Sequence, residues 1–260
     1  MKKYFIFIFF VLLTRTVYGA DVIELSTFPQ TSDAVVRNCY EQATASTTRG
    51  KALCSEKGFG DYWVCAPSRE IRLKSLEQCK VKAQDAKDQP AMLYLLGLLH
   101  QDFNYQPRSS KCPKYFYYQE GSAVCVYTND HFNQLISKYP ESIYADMAAV
   151  KQAQKAYRYY ECEGQVLCSI ENQIVGWVNL LEKKPTSRFS DMVIKNIVES
   201  LNSLLKEKID PRNENPGGLL EDVQNLRIIA TKLSPDKRVK LTKSLEEAEV
   251  ILTKIREAKQ

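Results

Sequence analysis

Two windows of the chain repeat each other at a fixed offset of 45 residues, and this internal similarity limits the possible folds most strongly. The windows are 132–147, FNQLISKYPESIYADM, and 177–192, WVNLLEKKPTSRFSDM. Six positions are identical between them, and aromatic residues also match in kind, as Phe132 does with Trp177. Similarity of this kind indicates one supersecondary unit used twice.

Each window predicts a helix, a sharp turn and a second helix. Phe132, Leu135 and Ile136 recur at helical spacing, and the second window carries the same pattern. Pro140 and Pro185 end the first helix of each window, because proline has no amide hydrogen and disfavours helix in the residue before it. A hairpin of two helices cannot bury its apolar face alone, so we expect the units to stack.

The pattern F..LI.KYPES.YADMA in the first window resembles the helix-turn-helix of tetratricopeptide repeats. The segment AMLYLLGLLHQD, 91–102, is similar to the A..LG.LY..G half of Sel1-like repeats. Together the two segments cover about a third of the mature chain. The resemblance implies an all-α fold, an α-solenoid of stacked helix-turn-helix hairpins.

Residues 1–20 have the composition of a secretory signal peptide. Lys2 and Lys3 precede an apolar run over 4–13, and small residues follow it. The run is too short to span a bilayer, and the first cysteine, Cys39, lies too far from it to carry a lipoprotein anchor. We therefore expect a soluble mature chain, periplasmic or secreted, without a membrane anchor.

The charge balance argues against a polyanionic partner. The formal net charge is +5, and loss of Lys2, Lys3 and Arg15 with the leader leaves +2. A net charge this small does not indicate binding to nucleic acid or to an anionic membrane.

Eight cysteines in an exported chain predict a disulfide framework. They are Cys39, Cys54, Cys65, Cys79, Cys112, Cys125, Cys162 and Cys168. The absence of a CxxC pair and the presence of only two histidines argue against a zinc site. We expect Cys112–Cys125 and Cys162–Cys168 to staple the loops before the two repeat units. The other four should pair among themselves, with three pairings open.

Four consecutive aromatic residues, 115–118, stand between Cys112 and Cys125. A disulfide-closed loop would hold these rings ready for a protein partner, and the alternative is that they are buried. A β-hairpin turning at Glu120-Gly121 competes with the disulfide, because it should place Cys125 opposite Phe116, out of reach of Cys112. Together with a second tyrosine cluster, the predicted partner-binding residues are Tyr115, Phe116, Tyr117, Tyr118, Tyr159 and Tyr160.

The predicted organisation has five parts. They are the leader 1–20, a cysteine-rich helical cap 21–110, two helical-hairpin repeats 111–208, a linker 209–218 and a C-terminal helical hairpin 219–260. Prolines, glycines and mixed charges indicate the linker. In the last helix Ser234 is a good N-cap, Pro235 fits the first turn, and leucines and other apolar residues step by four and three from Leu241 to Ile255.

Catalytic motifs are absent from the sequence. It contains no G-x-S-x-G elbow, P-loop or dinucleotide fingerprint. The Glu-Ser pairs at Glu141 and Glu199 lack the glycine-rich stretch of lytic transglycosylases, so a cell-wall-active enzyme is the least favoured hypothesis. His131 should be a helix-surface or packing residue rather than a catalytic acid or base, and His100, near a helix C-terminus, should favour its protonated form. We expect no cofactor and no metal.

These features favour a non-enzymatic protein-binding protein, an adaptor or scaffold in the cell envelope. The alternative is an inhibitor or immunity protein that neutralises a toxin or effector enzyme in the periplasm. In both cases the expected partner is another protein, an envelope component or a toxin.

Overall fold

The fold is mostly helical and is seen in a computed structural model. The residues it describes are 28, 30–56, 66–101, 111–120, 124–156 and 162–259. The predicted signal peptide lies outside them. The contacts divide into an N-terminal unit, Thr27–Gln152, and a C-terminal unit containing Ala153–Gln260. This division falls between the two repeated windows, inside the segment predicted to hold both.

In its described parts the N-terminal unit contains helices and one β-hairpin. They are α1 Ala34–Glu56, α2 Ala66–Lys82, α3 Gln89–Gln101, β1 Phe116–Gln119, β2 Val124–Tyr127, α4 Asp130–Lys138 and α5 Ile143–Gln154. Helix α1 packs along α2, and α3 packs on α1, α2 and α4. For the segment of β1 and β2 the sequence favoured a disulfide-closed loop over a β-hairpin.

Helices α1 and α2 are joined by a disulfide between Cys39 and Cys79, whose Cα atoms lie 5.5 Å apart. Both residues are buried. This finding decides part of the pairing that the sequence left open. Cys65 and the side chain of Cys54 lie outside the described residues.

The start of α1 is tied to the turn before α3 by one carboxylate. One oxygen of Asp33 accepts the amides of Val35 and Val36, at 2.8 and 3.1 Å. The other accepts the amides of Lys87 and Asp88, at 2.6 and 2.9 Å. These bonds hold the pKa of Asp33 below its usual value.

The core of the N-terminal unit is aromatic where α3 meets α4. Tyr94 and Phe132 are fully buried, with ring centroids 5.9 Å apart. The Phe132 ring lies so close to Gly97 that a Cβ at this position would overlap it. Glycine is therefore required at position 97 for the close approach of the two helices.

The C-terminal unit is a set of four helices and a short 3-10 turn in its described part. The elements are α6 Val166–Lys183, α7 Ser190–Ser203, the 3-10 turn Pro211–Asn213, α8 Gly217–Ala230 and α9 Pro235–Glu257. Helix α6 packs on α7 and α8, and α9 packs on the same two helices. Its core is mainly aliphatic, with Leu167, Ile174, Leu181, Ile197 and Leu219 among its most buried side chains.

Both repeated windows form a helix, a turn and a helix, as predicted, and the two turns share their hydrogen bonds. The residue before each proline donates its amide to the carbonyl four residues earlier, at 2.9 and 2.8 Å. The hydroxyl of Ser142 accepts the amide of Tyr144 at 3.2 Å, and that of Ser187 accepts the amide of Phe189 at 3.3 Å. The repeat is therefore a repeat of local structure.

The predicted seam of the last helix is confirmed. Ser234 is the N-cap residue of α9 and Pro235 stands in its first turn, although the serine side chain makes no capping bond. The seam residues are all buried, namely Leu241, Leu245, Ala248, Leu252 and Ile255. They hold α9 against its neighbours, as a C-terminal hairpin requires.

The connection predicted as a linker, 209–218, is packed against α6. Glu214 is 4% exposed, and its carboxylate accepts the amides of Val166 and Leu167 at 2.6 and 3.0 Å. Because these amides lie in the first turn of α6, Glu214 supplies the cap that the helix lacks from its own N-cap residue. A Cβ at Gly218 would overlap the carboxylate of Glu171, so the start of α8 also packs closely against α6.

None of the helices in the described ranges is both long enough and apolar enough to cross a membrane.

Candidate functional site

The aromatic run forms one strand of a two-stranded antiparallel sheet. Phe116 lies opposite Tyr127, and Tyr118 lies opposite Cys125. The disulfide Cys112–Cys125 is present as well, with a Cα–Cα distance of 5.7 Å. The prediction that hairpin and disulfide exclude each other was therefore wrong. It assumed a tighter turn, which shifts the register and places Cys125 opposite the wrong residue.

A reversal of the chain before β1 lets the disulfide close. The amide of Phe116 donates to the carbonyl of Pro113 at 3.2 Å, and Tyr115 has a positive φ of 75°. A bulky residue adopts this conformation only at a cost in strain. Thr128 holds it there, donating its amide and its hydroxyl to the Tyr115 carbonyl at 2.9 and 3.0 Å. This turn carries Cys112 back towards β2.

Beneath the hairpin lie the two histidines of the chain, side by side. The ring centroids of His100 and His131 are 4.7 Å apart, and the residues are 7% and 4% exposed. The Tyr115 ring lies 4.6 Å from His131, and the Phe116 ring lies 5.7 Å from His100. We call His100, His131, Tyr115, Phe116 and Tyr127 the histidine cluster. It anchors the hairpin to α3 and α4.

Hydrogen bonds fix the two imidazoles. The Nδ1 of His100 donates to the carbonyl of Leu96 at 2.7 Å. The Tyr127 hydroxyl accepts the backbone amide of His131 at 3.0 Å and lies 3.0 Å from the Nδ1 of the same residue. In this arrangement the hydroxyl can donate its own hydrogen to that nitrogen, which suits a neutral imidazole.

Burial keeps both histidines neutral. It lowers the pKa of His131 to about 3, and the neighbouring His100, Lys80 and Lys114 act in the same direction. Burial also lowers the pKa of His100, although its bond to Leu96 opposes the change. The prediction that His100 favours its protonated form was therefore wrong, because loss of hydration outweighs the helix terminus. Burial raises the pKa of Tyr127 for the same reason.

The geometry of the cluster suits packing better than chemistry. Both imidazoles are enclosed by rings, and their Nδ1 atoms are already in hydrogen bonds. Across the described ranges, His, Cys, Asp and Glu side chains nowhere gather in a group of three or more that could hold a metal ion. Sequence reasoning missed Tyr127, although its spacing of four residues from His131 at a helix start was a usable signal.

The opposite side of the hairpin faces away from the cluster. Tyr117 is 47% exposed, and its cross-strand partner is Val126. Val124 follows on the same side of β2, since side chains alternate along a strand. We call Tyr117, Val124 and Val126 the displayed face. Of the residues predicted to bind a partner, Tyr115 and Phe116 lie in the cluster, Tyr117 is displayed and Tyr118 is half-buried.

The second disulfide and the second tyrosine cluster predicted from the sequence lie outside the hairpin. The pair Cys162–Cys168 is confirmed, with a Cα–Cα distance of 5.5 Å, and it closes the start of α6. Every cysteine whose side chain is described is paired. Tyr159 and Tyr160 lie outside the described residues.

Comparisons with models of known protein families, with characterised proteins and with solved structures found no match to this chain. The resemblance to tetratricopeptide and Sel1-like repeats therefore stays a prediction, and a proposal about function has to rest on the hairpin and its surroundings.

Proposed function

We propose that this protein is a non-enzymatic protein-binding protein, an adaptor or scaffold of the cell envelope, and that the displayed face of the hairpin contacts its partner. The observation that carries the proposal is the exposure of Tyr117, 47%, on a strand whose neighbouring ring is anchored in the histidine cluster. Exposed tyrosines on rigid supports are favoured at the centres of protein interfaces.

The hairpin is held in advance of binding. The disulfide Cys112–Cys125, the two bonds from Thr128 and the packing of Phe116 on His100 hold the two strands in place. An isolated two-stranded hairpin is only marginally stable in water, so these supports are needed. A partner that binds Tyr117 then avoids the entropic cost of ordering strand β1.

An enzymatic role has less support. The histidines are the chain's only side chains that titrate near neutral pH in their unperturbed state, and both are buried and neutral. A histidine that acts as a general base has to contact the substrate, which a buried imidazole does not do. The displayed face, in contrast, offers a tyrosine and two valines for apolar contact, with Gln119 beside Tyr117 on the same side of β1.

The proposed compartment is the periplasm or the exterior. The three described disulfides are compatible with an oxidising compartment, and the leader-like residues 1–20 favour export. An inhibitor of a toxin would use the same compartment and the same kind of surface. We favour an adaptor because a second candidate surface, described below, lies in the other unit.

Photo-crosslinking in the source organism tests this proposal. A benzophenone amino acid replaces Tyr117 in one variant and Val81, 69% exposed on α2 of the same unit, in the control. We expect a discrete crosslinked protein at position 117 that is missing at position 81. No product at 117, or the same products at both positions, would contradict the proposal. So would a catalytic turnover on peptidoglycan, peptide or ester substrates that purifies with the chain.

A further inference from the structure

Helices α7 and α9 of the C-terminal unit border an open groove of about 800 Å³. One wall carries Lys195 and Asn202 of α7, and the other carries Lys240, Lys243 and Glu247 of α9. Helical spacing explains the alignment, since residues three and four apart share a face. The opposite faces of both helices are used in the core of the unit.

The groove is positively charged. Its lining includes four lysines, Lys195, Lys206, Lys240 and Lys243, and two acidic residues, Asp191 and Glu247, for a net +2. Asp191 is engaged by Lys237, 3.1 Å away at one end. Within the part of the chain that the structure describes, Lys206, Lys240 and Lys243 have no ion pair, so their charges are available to an incoming group.

Apolar side chains line the groove together with these charges. They are Met192, Val198 and Leu205, and Leu205 is 53% exposed. Met192 and Leu205 are separated by 13 residues along α7 and its end, a rise of roughly 20 Å. This length matches three to four turns of a partner helix, with apolar side chains about two turns apart.

The repeated window shows that this surface differs from its counterpart. Met147, the equivalent of Met192, is 6% exposed, and Asp146 is 9% exposed. In the second window Met192 borders the open groove and the side chain of Asp191 is 73% exposed. The same two residue types are covered in one window and open in the other.

We propose that the groove between α7 and α9 binds an acidic amphipathic helix of a partner protein. The apolar face of that helix contacts Met192, Val198 and Leu205, and its flanking carboxylates pair with Lys206, Lys240 and Lys243. An amphipathic helix lying in a groove is a common mode of peptide recognition, and opposite charges at its rim fix orientation. This proposal stands independently of the displayed face on the hairpin.

A helix fits these observations better than a membrane does. Met192, Val198 and Leu205 follow one helix and its end at spacings of six and seven residues, as contact with one face of a partner helix requires. A net charge of +2 in the groove is also small for stable binding to anionic lipid, which takes clusters of several basic residues. Anionic vesicles therefore serve as the contrasting probe.

Fluorescence anisotropy with the full, disulfide-bonded chain tests the proposal. The probe is a labelled peptide of about 18 residues with leucines two turns apart on one face and glutamates beside them. A second peptide carries lysine in place of every glutamate. We expect the acidic peptide to bind, more weakly as salt is added, and the basic peptide not to bind.

Variants then locate the binding. The double variant Lys240→Glu/Lys243→Glu should weaken binding of the acidic peptide by about tenfold, because two attractive charges become repulsive. Leu205→Ser should weaken it by several-fold. The control Lys232→Glu/Lys254→Glu makes the same charge change outside the groove. Its affinity for the acidic peptide should stay within about twofold of that of the unchanged protein.

Failure of the acidic peptide to bind overturns the proposal, as does an equal loss in the control variant. Binding of phosphatidylglycerol vesicles that Lys240→Glu/Lys243→Glu abolishes, without peptide binding, assigns the groove to lipid instead. Thermal unfolding of each variant confirms that the fold is intact, since all the changed side chains are exposed. Loss of crosslinking at Tyr117 would leave these outcomes unchanged, so the two proposals fail separately.

Discussion

The two units contain the same helix-turn-helix pattern but complete their structures differently. The N-terminal unit covers an aromatic and histidine core with a stapled hairpin, and a disulfide of long span joins α1 to α2. The C-terminal unit has an aliphatic core, and the buried carboxylate of Glu214 caps α6 from a distant connection. A repeated sequence window therefore specifies its own turn, whereas its neighbours decide which face is covered.

This difference matters for binding. In the N-terminal unit the inward rings of the hairpin are fixed so that Tyr117 can face outwards. In the C-terminal unit the exposed element is a groove between two helices, with Met192 at its edge. One unit offers a projecting aromatic surface and the other a concave basic one. The following experiments act on one unit and use the other as an internal reference.

The largest effect is expected for the disulfide between α1 and α2. Its loop of 40 residues contributes about 4 kcal/mol in the chain-entropy model, against about 2 kcal/mol for the loop of 6 closed by Cys162–Cys168. Cys39→Ser/Cys79→Ser should therefore lower hydrogen-exchange protection in α1 and α2 and leave α6 to α9 unchanged. Equal loss of protection in both units would show that they do not unfold separately.

The next effect concerns the cap of α6. Glu214→Ala leaves the part-buried amide of Val166 and the buried amide of Leu167 without an acceptor and should cost about 2–3 kcal/mol. Glu214→Gln keeps one acceptor oxygen and should cost less. Urea unfolding measures both, with Glu207→Ala, an exposed residue of the same connection, as the control. If Glu214→Ala matches the control within 0.5 kcal/mol or so, the carboxylate does not stabilise the unit.

Acid should weaken the N-terminal unit selectively, because both histidines of the chain lie in it. The pKa of His131 falls from its usual 6.5 to about 3 on folding, so between these values the unfolded chain binds more protons. Stability is then lost as the pH falls below about 6.5, on the order of 2 kcal/mol by pH 5.

Hydrogen exchange of the two units at pH 7 and pH 5, corrected for intrinsic rates, measures this loss. The variant His131→Gln removes one of the two buried imidazoles and should make the pH dependence of the N-terminal unit smaller. An equal loss in the C-terminal unit, which contains no histidine, would contradict the assignment.

Local signals accounted for much of the fold. Proline positions predicted both turns, the four-and-three spacing predicted the buried seam of α9, and nearby cysteines predicted two disulfides. Contacts between distant segments were not readable. His100 and His131 meet only because α3 packs on α4, and Glu214 reaches α6 across 48 residues. The positive φ of Tyr115 was also hidden, because glycine or asparagine usually marks that conformation.

The division of the hairpin into an anchored face and a displayed face is tested most directly by alanine at two adjacent positions. Phe116→Ala removes a ring that packs on His100 and Tyr127, and we expect the free energy of unfolding to fall by about 2–3 kcal/mol in urea titrations. Tyr117→Ala should change it by less than about 0.5 kcal/mol, since its side chain faces outwards. A loss at Tyr117 equal to or larger than the loss at Phe116 would show that the strand is turned the other way and that Tyr117 belongs to the core.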